Sequence, residues 1–219
     1  QLLLLEKVRE SLAGRCSIYE IYPLTLPEMR TESWDDEIEP SLFQQEILGH
    51  NPTYLPSFLL DADMSKKQYY FESYLSFGAY PALSDDSLND KEKQDWLNNY
   101  VRTYLERDIR DLAAFRDLDP FVKLQQYLAQ NPSELINASA IAKQLGVSAK
   151  TVQRYIKYTE LSYQTITLQP WTRNPNKRLV KSPKIHFLDN GVLQAVLRKS
   201  GGITGGEFES AVVSEIYKQ

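Results

Sequence analysis

The sequence predicts a mainly α protein with minor β: a short N-terminal αβ piece, a helical middle and a winged helix-turn-helix. Three observations carry that expectation. Residues 91–115 hold a 3.6-residue apolar stripe through Leu97, Val101, Tyr104, Leu105, Ile109, Leu112 and Ala113. Residues 138–157 (ASAIAKQLGVSAKTVQRYIK) place a small residue, a glycine and an apolar residue at the offsets two crossing helices require. Only short runs, 163–169 and 179–187, have the composition of strands once the N-terminal piece is set aside.

Taken in order, Leu2, Leu5, Val8 and Leu12 fall at helical spacing, with Gly14 as a C-terminal cap. CSIYEIYPLTL alternates and is rich in β-formers, so a short strand is expected, closed by Pro23 and Pro27. These elements make up a segment 1–30. Residues 31–64 read as an acidic connector broken by Asn51-Pro52 and Leu55-Pro56, with short helices at most. A helical domain follows over 65–132. Its first helix, 68–77, carries Tyr70, Phe71, Tyr74 and Phe77 on one side and is ended by Gly78 and Pro81. The 91–115 helix comes next, and then one that Asp119-Pro120 starts and Asn131-Pro132 stops.

The winged helix-turn-helix is expected over 133–199. Ile141, Ala142 and Leu145 face inward from its first helix, Gly146 turns with positive φ, and Val147 plugs the corner. Ser148 caps a second helix, 149–158, whose Val152, Tyr155 and Ile156 face the core. If that helix enters a major groove, Ala149, Lys150, Gln153, Arg154 and Lys157 are its outward residues. Gln and Arg suit adenine and guanine edges, and lysines suit phosphates. The wing supplies Arg173, Lys177, Arg178, Lys181 and Lys184. The rival reading is a protein-interaction or packing module that binds no DNA, because fold does not fix function.

Charge is unevenly placed. The chain has a net charge of −4, yet residues 137–199 hold eleven bases against Glu160 and Asp189, so that segment carries +9 and the rest −13. Such polarity points to one basic face, although any surface has patches. Apolar residues at 42% and charged ones at 25% describe a globular protein, and a single cysteine, Cys16, excludes an internal disulfide and fits a reducing, cytoplasmic setting. The four-leucine run before Glu6 is too short to cross a bilayer and has no leader pattern, so neither membrane span nor signal peptide is expected. No G-x-x-x-x-G-K-[ST] loop is present. His50 and His186 lack metal-ligand spacing, and Cys16 lacks a nearby base, so no catalytic or metal residue and no cofactor is assigned to the chain. The sequence opens and closes inside helical patterns, as expected of a piece of a longer protein.

The segments LLLLEKVRESLAGR, YEIYPLTLPEM, FGAYPAL, TYLERDIRDL, NKRLVKSPKIHFLDNGVL and GGEFESAVVSEIYK, together with the helix-turn-helix, resemble in their order the prokaryotic AAA-type (P-loop) ATPases whose C-terminal half is a domain of unknown function. The resemblance implies a parent protein with an ATP- and Mg-binding core, a winged helix and a nuclease-like domain, while double-stranded DNA is the partner that the outward residues of 149–158 suggest. This chain then begins past the Walker motifs with the tail end of the core sheet. Residues 200–219 are the first helix of the nuclease-like domain, with Glu209 and Glu215 at matching positions, and that domain's metal ligands fall beyond Gln219. A Gly-Gly-aromatic-Pro motif thought to lie near nucleotide corresponds to Gly78, Ala79, Tyr80 and Pro81, the second glycine being replaced. Arg107 and Asp108 match an Arg-Asp pair that serves as an interdomain salt bridge or as a nucleotide-sensing arginine, the bridge being favoured.

Overall fold

A computed structural model describes residues 15, 17, 19–33, 35–38, 40–41, 44–45, 49, 63–85, 87–105, 107, 109, 117–171, 173, 181–199 and 201–219. The described residues are mainly helical with one two-stranded antiparallel sheet, as the sequence predicts. In order they form a helical turn α1 (Leu26–Met29), then α2 (Met64–Phe77), α3 (Asp90–Asn99), α4 (Asp119–Gln130), α5 (Ala138–Leu145) and α6 (Ala149–Leu161). Strands β1 (Thr165–Leu168) and β2 (Lys184–Phe187) follow, then α7 (Asn190–Leu197) and α8 (Gly205–Lys218). The expected helix 2–14, Cys16 and most of the 46–62 stretch lie outside the described residues.

Two elements differ from expectation, and local chemistry accounts for both. No strand forms among the described residues between 17 and 25. Thr25 and Glu28 instead close a capping box, the Glu28 carboxylate accepting from the Thr25 amide at 2.6 Å, and Pro27 favours the helix start. The Leu24 amide bonds the Ala79 carbonyl at 2.8 Å, so this backbone is satisfied by a loop rather than by a sheet. The long 91–115 helix also does not continue regularly. After Asn99 the chain widens into π-helical turns over Tyr100–Leu105. The Thr103 hydroxyl donates to the Asn99 carbonyl at 2.5 Å, competing with the regular ladder. Residues 110–116 lie outside the described residues.

The other helices keep their expected faces. α2 starts four residues earlier than the apolar stripe suggests and ends at Gly78, whose φ is +74°. α4 buries Phe121, Leu124 and Leu128. These meet Ile141, Val152, Tyr155 and Ile156 from α5 and α6, Ile185 and Phe187 from β2, and Val192, Leu193 and Val196 from α7 in one apolar core. That core is continuous across residues 132–133, and α4 packs into it as fully as α5 and α6 do. The β1–β2 register pairs Thr165 with Phe187 and Leu168 with Lys184, and Leu135 adds an isolated bridge to Lys184.

Candidate nucleic-acid interface

α5 and α6 meet through a corner held by two side-chain caps and a main-chain turn. Asn137 caps α5 by accepting from the Ala140 amide at 3.0 Å. Gly146 takes the left-handed conformation at φ +67°, where a side chain is disfavoured, and the Val147 amide returns to the Ala142 carbonyl at 3.1 Å. Ser148 Oγ then accepts from the Thr151 amide at 3.0 Å and starts α6. Ile141, Ala142, Val152, Tyr155 and Ile156 are buried as the sequence predicts.

The opposite face of α6 is open. Lys150, Gln153, Arg154 and Lys157 are all exposed, and Ser148 is exposed beside them. The Arg154 guanidinium lies over its neighbour Tyr155 at 5.8 Å from the ring centre, which steadies a side chain that is otherwise exposed. Lys157 is different, because its ammonium pairs with Glu160 at 3.2 Å and part of its charge is already answered. In the hairpin, Arg173 and Lys181 are exposed, while Lys177 and Arg178 lie outside the described residues. Lys184 is tied to Glu209 on α8 at 2.7 Å. The exposed cations of α6 and the hairpin that form no ion pair among the described residues are thus Lys150, Arg154, Arg173 and Lys181.

The second predicted group is drawn together differently. Gly78 and Ala79 press against the start of α7, where Asp189 accepts from the Ala79 amide at 2.8 Å and from the Val192 amide at 3.0 Å. Asp189 is buried, and burial pushes its carboxyl above the ordinary carboxylate value against the pull of those amides. A side chain at Gly78 would collide with this carboxylate, and one at Gly191 with the Phe77 backbone carbonyl, both well inside 3.0 Å. Asn190 Nδ2 donates to the Leu75 carbonyl. The tight approach is therefore made at Gly78, and Ala79 is accommodated. Tyr80 bonds Tyr100 hydroxyl to hydroxyl at 3.0 Å and packs on Trp96, while Pro81 opens a single 3₁₀ turn over Pro81–Leu83. Arg107 is exposed, and Asp108 lies outside the described residues.

Sequence reasoning passed over the partner in this interlock. Asp189 is a helix N-cap with Gly191 two residues on, a local signal, but that its carboxylate also reaches the amide of Ala79 across 110 residues is not a local one. Glu215 and Lys218 of α8 are structural as well: Glu215 accepts from the Leu26 amide at 2.9 Å, and Lys218 donates to the Leu24 carbonyl at 2.7 Å.

A family model matches residues 68–202, a stretch that takes in the α5–α6 corner, the hairpin and both sides of the Gly78–Asp189 contact. The chain belongs to that family, a domain of unknown function (DUF8612). Members of DUF8612 thus share the segment that builds both sites, while α8 lies past its end. Over 124 residues the chain is 29% identical to an uncharacterized protein of Mycobacterium tuberculosis and to one of Mycobacterium bovis, covering 57% of this chain and 28% of each relative. The matched stretch therefore spans little more than a quarter of those proteins. No solved structure matches.

Proposed function

We propose that this chain is the DNA-engaging portion of a prokaryotic AAA-type ATPase. In this reading α4, α5, α6 and the β1–β2 hairpin are a winged helix-turn-helix that binds double-stranded DNA. The observation that carries it is the outward face of α6, where Lys150, Gln153 and Arg154 stand exposed while Val152, Tyr155 and Ile156 behind them are buried. A helix packing on its own protein through that face would bury it. Gln153 and Arg154 reach base edges, and Lys150, Arg173 and Lys181 hold phosphates. The remaining partners are the ATPase core and the nuclease-like domain of the same protein, and the setting is the cytoplasm.

ATP with Mg²⁺ belongs to that core. The residues of this chain do not fit the pair: it has no phosphate loop, and among the described residues no group of three His, Cys, Asp or Glu is placed to hold a metal. The Gly78–Asp189 interlock supports a packing role for Gly78, Tyr80 and Pro81, which joins the helical region to the DNA-binding unit. Nucleotide state in the core would then reposition α6 on DNA through this contact.

The test is fluorescence anisotropy with labelled duplex DNA over a range of salt concentrations. Three phosphate contacts give a slope of log K against log salt of about −2.7, and Lys150→Ala with Arg173→Ala lowers its magnitude by about 2. Absence of binding at low salt would overturn the DNA reading and leave the protein-interaction alternative.

A further inference from the structure

Trp171 stands three residues past the end of β1, where neither the α6 face nor the charge pattern uses it. It is 76% exposed, while Trp96 is stacked on Tyr100 at 5.2 Å. A lone exposed apolar side chain is ordinary, but this one has company. Leu168 stands opposite Lys184, and Lys184 bridges to Leu135. Residues directly opposed across strands point to one face. Leu168 and Leu135, at 39% and 63% exposed, therefore flank Lys184 on one ledge, and Trp171 follows three residues after Leu168. The exposed charges of the hairpin among the described residues are Arg173 and Lys181, while Lys184 is paired with Glu209 at 2.7 Å. Between Glu160 and Asp189 the sequence holds Arg173, Lys177, Arg178, Lys181 and Lys184 and no acid. A polyanion that also offers flat apolar faces is a nucleic acid, and indole stacks on any base.

We propose that Trp171 stacks on an unpaired DNA base, so that the hairpin engages duplex beside single strand in preference to uninterrupted duplex. This rests on the DNA-binding reading above and names the substrate class of the same site. Within a duplex both faces of each base are covered by its neighbours. The indole enters there only by prising a step apart, and that cost offsets most of what stacking returns. At a junction the last base is already uncovered, so the whole stacking gain appears as affinity.

The test compares, by anisotropy, a blunt duplex with the same duplex carrying a single-stranded tail, using the full chain and the variants Trp171→Ala and Trp171→Phe. Wild type should bind the tailed duplex about tenfold more tightly, the size of one base–aromatic stack. Trp171→Ala should bind both forms as wild type binds the blunt one, and Trp171→Phe should keep most of the preference. Because Trp171 is exposed, both variants should melt with wild type. Equal wild-type affinity for the two forms, or a tail preference that survives in Trp171→Ala, overturns this inference and leaves the duplex-binding reading standing. Loss of both forms to the same degree in Trp171→Ala also overturns it, making the indole a general contact. Wild type that binds neither form removes both readings, and Trp171 then belongs to a protein contact.

Discussion

Replacing Gly191 by alanine tests the contact that joins the two halves of the fold. Gly191 is the second residue of α7, and its Cβ would meet the carbonyl oxygen and carbon of Phe77 closer than the 3.0 Å that real Cβ atoms keep. The obstacle is main chain at the end of α2, pinned by the Gly78 amide bonding Tyr74 at 2.9 Å, so no side chain can swing aside. Overpacking of this kind costs about 1–3 kcal/mol, and an immovable neighbour puts it near the top, about 3 kcal/mol. Alanine returns up to about 1 kcal/mol through helix propensity. A net loss of about 2 kcal/mol corresponds to a fall in Tm of roughly 4–8 °C for a chain of this size. Differential scanning calorimetry at matched concentration reads it. Gly205→Ala is the control, because that residue starts α8 with nothing within 4 Å of the added methyl, and it should leave Tm unchanged or slightly raised. The reasoning is refuted if Gly191→Ala melts with wild type, or if Gly205→Ala loses as much.

Three further outcomes are expected. Ser148→Ala removes the cap of α6 and should cost about 1 kcal/mol in a urea melt, while Ser148→Asp keeps most of it. Burial drives the Glu207 carboxyl up, but Lys199, Gln194 and the Thr204 amide outweigh it and hold it below the ordinary 4.5. Its stabilisation is therefore complete above 4.5 and lost as pH falls through the lowered value, so the stability advantage of wild type over Glu207→Gln should shrink below that pH. His186 is held below the ordinary 6.5, chiefly by burial. Its neutral ring bonds Ser133 through Nδ1 at 3.0 Å, and charging it is disfavoured in the fold. Stability should fall as pH drops below 6.5, and His186→Gln should flatten that part of a urea-midpoint profile.

The α5–α6 corner was fully legible because everything that shapes it is local. Asn137, Gly146 and Ser148 act within a few residues, and burial follows the helical period. The basic face was legible as far as composition goes, since exposure of Lys150, Gln153 and Arg154 follows from the same period. What the period cannot convey is which charges are already answered. Lys184 meets Glu209 from a helix 25 residues away, and only the folded chain shows that it is committed. The expected strand near Tyr19 failed for a related reason. Alternation and β-branching describe a strand that has a neighbour, and among the described residues the Leu24 amide finds the Ala79 carbonyl instead. The break after Asn99 rests on one threonine hydroxyl, which an apolar stripe does not register.

The two candidate groups are mechanically one unit, and α7 makes them so. Its first turn fits against the end of α2 through Asp189, Asn190 and Gly191. Ala195 packs with Leu83 and Leu97 on the side of α3. Val192, Leu193 and Val196 face the core that backs α4, α5 and α6. Close-packed interiors pass displacement on rather than absorb it. A shift at Gly78 large enough to break the Ala79–Asp189 bond must therefore move α7, and with it the support of α6. Under the proposed function, residues 78–81 would act on DNA binding through α7 without touching nucleotide or DNA. One buried carboxylate, Asp189, caps α7 and holds the Gly78–Ala79 loop at once.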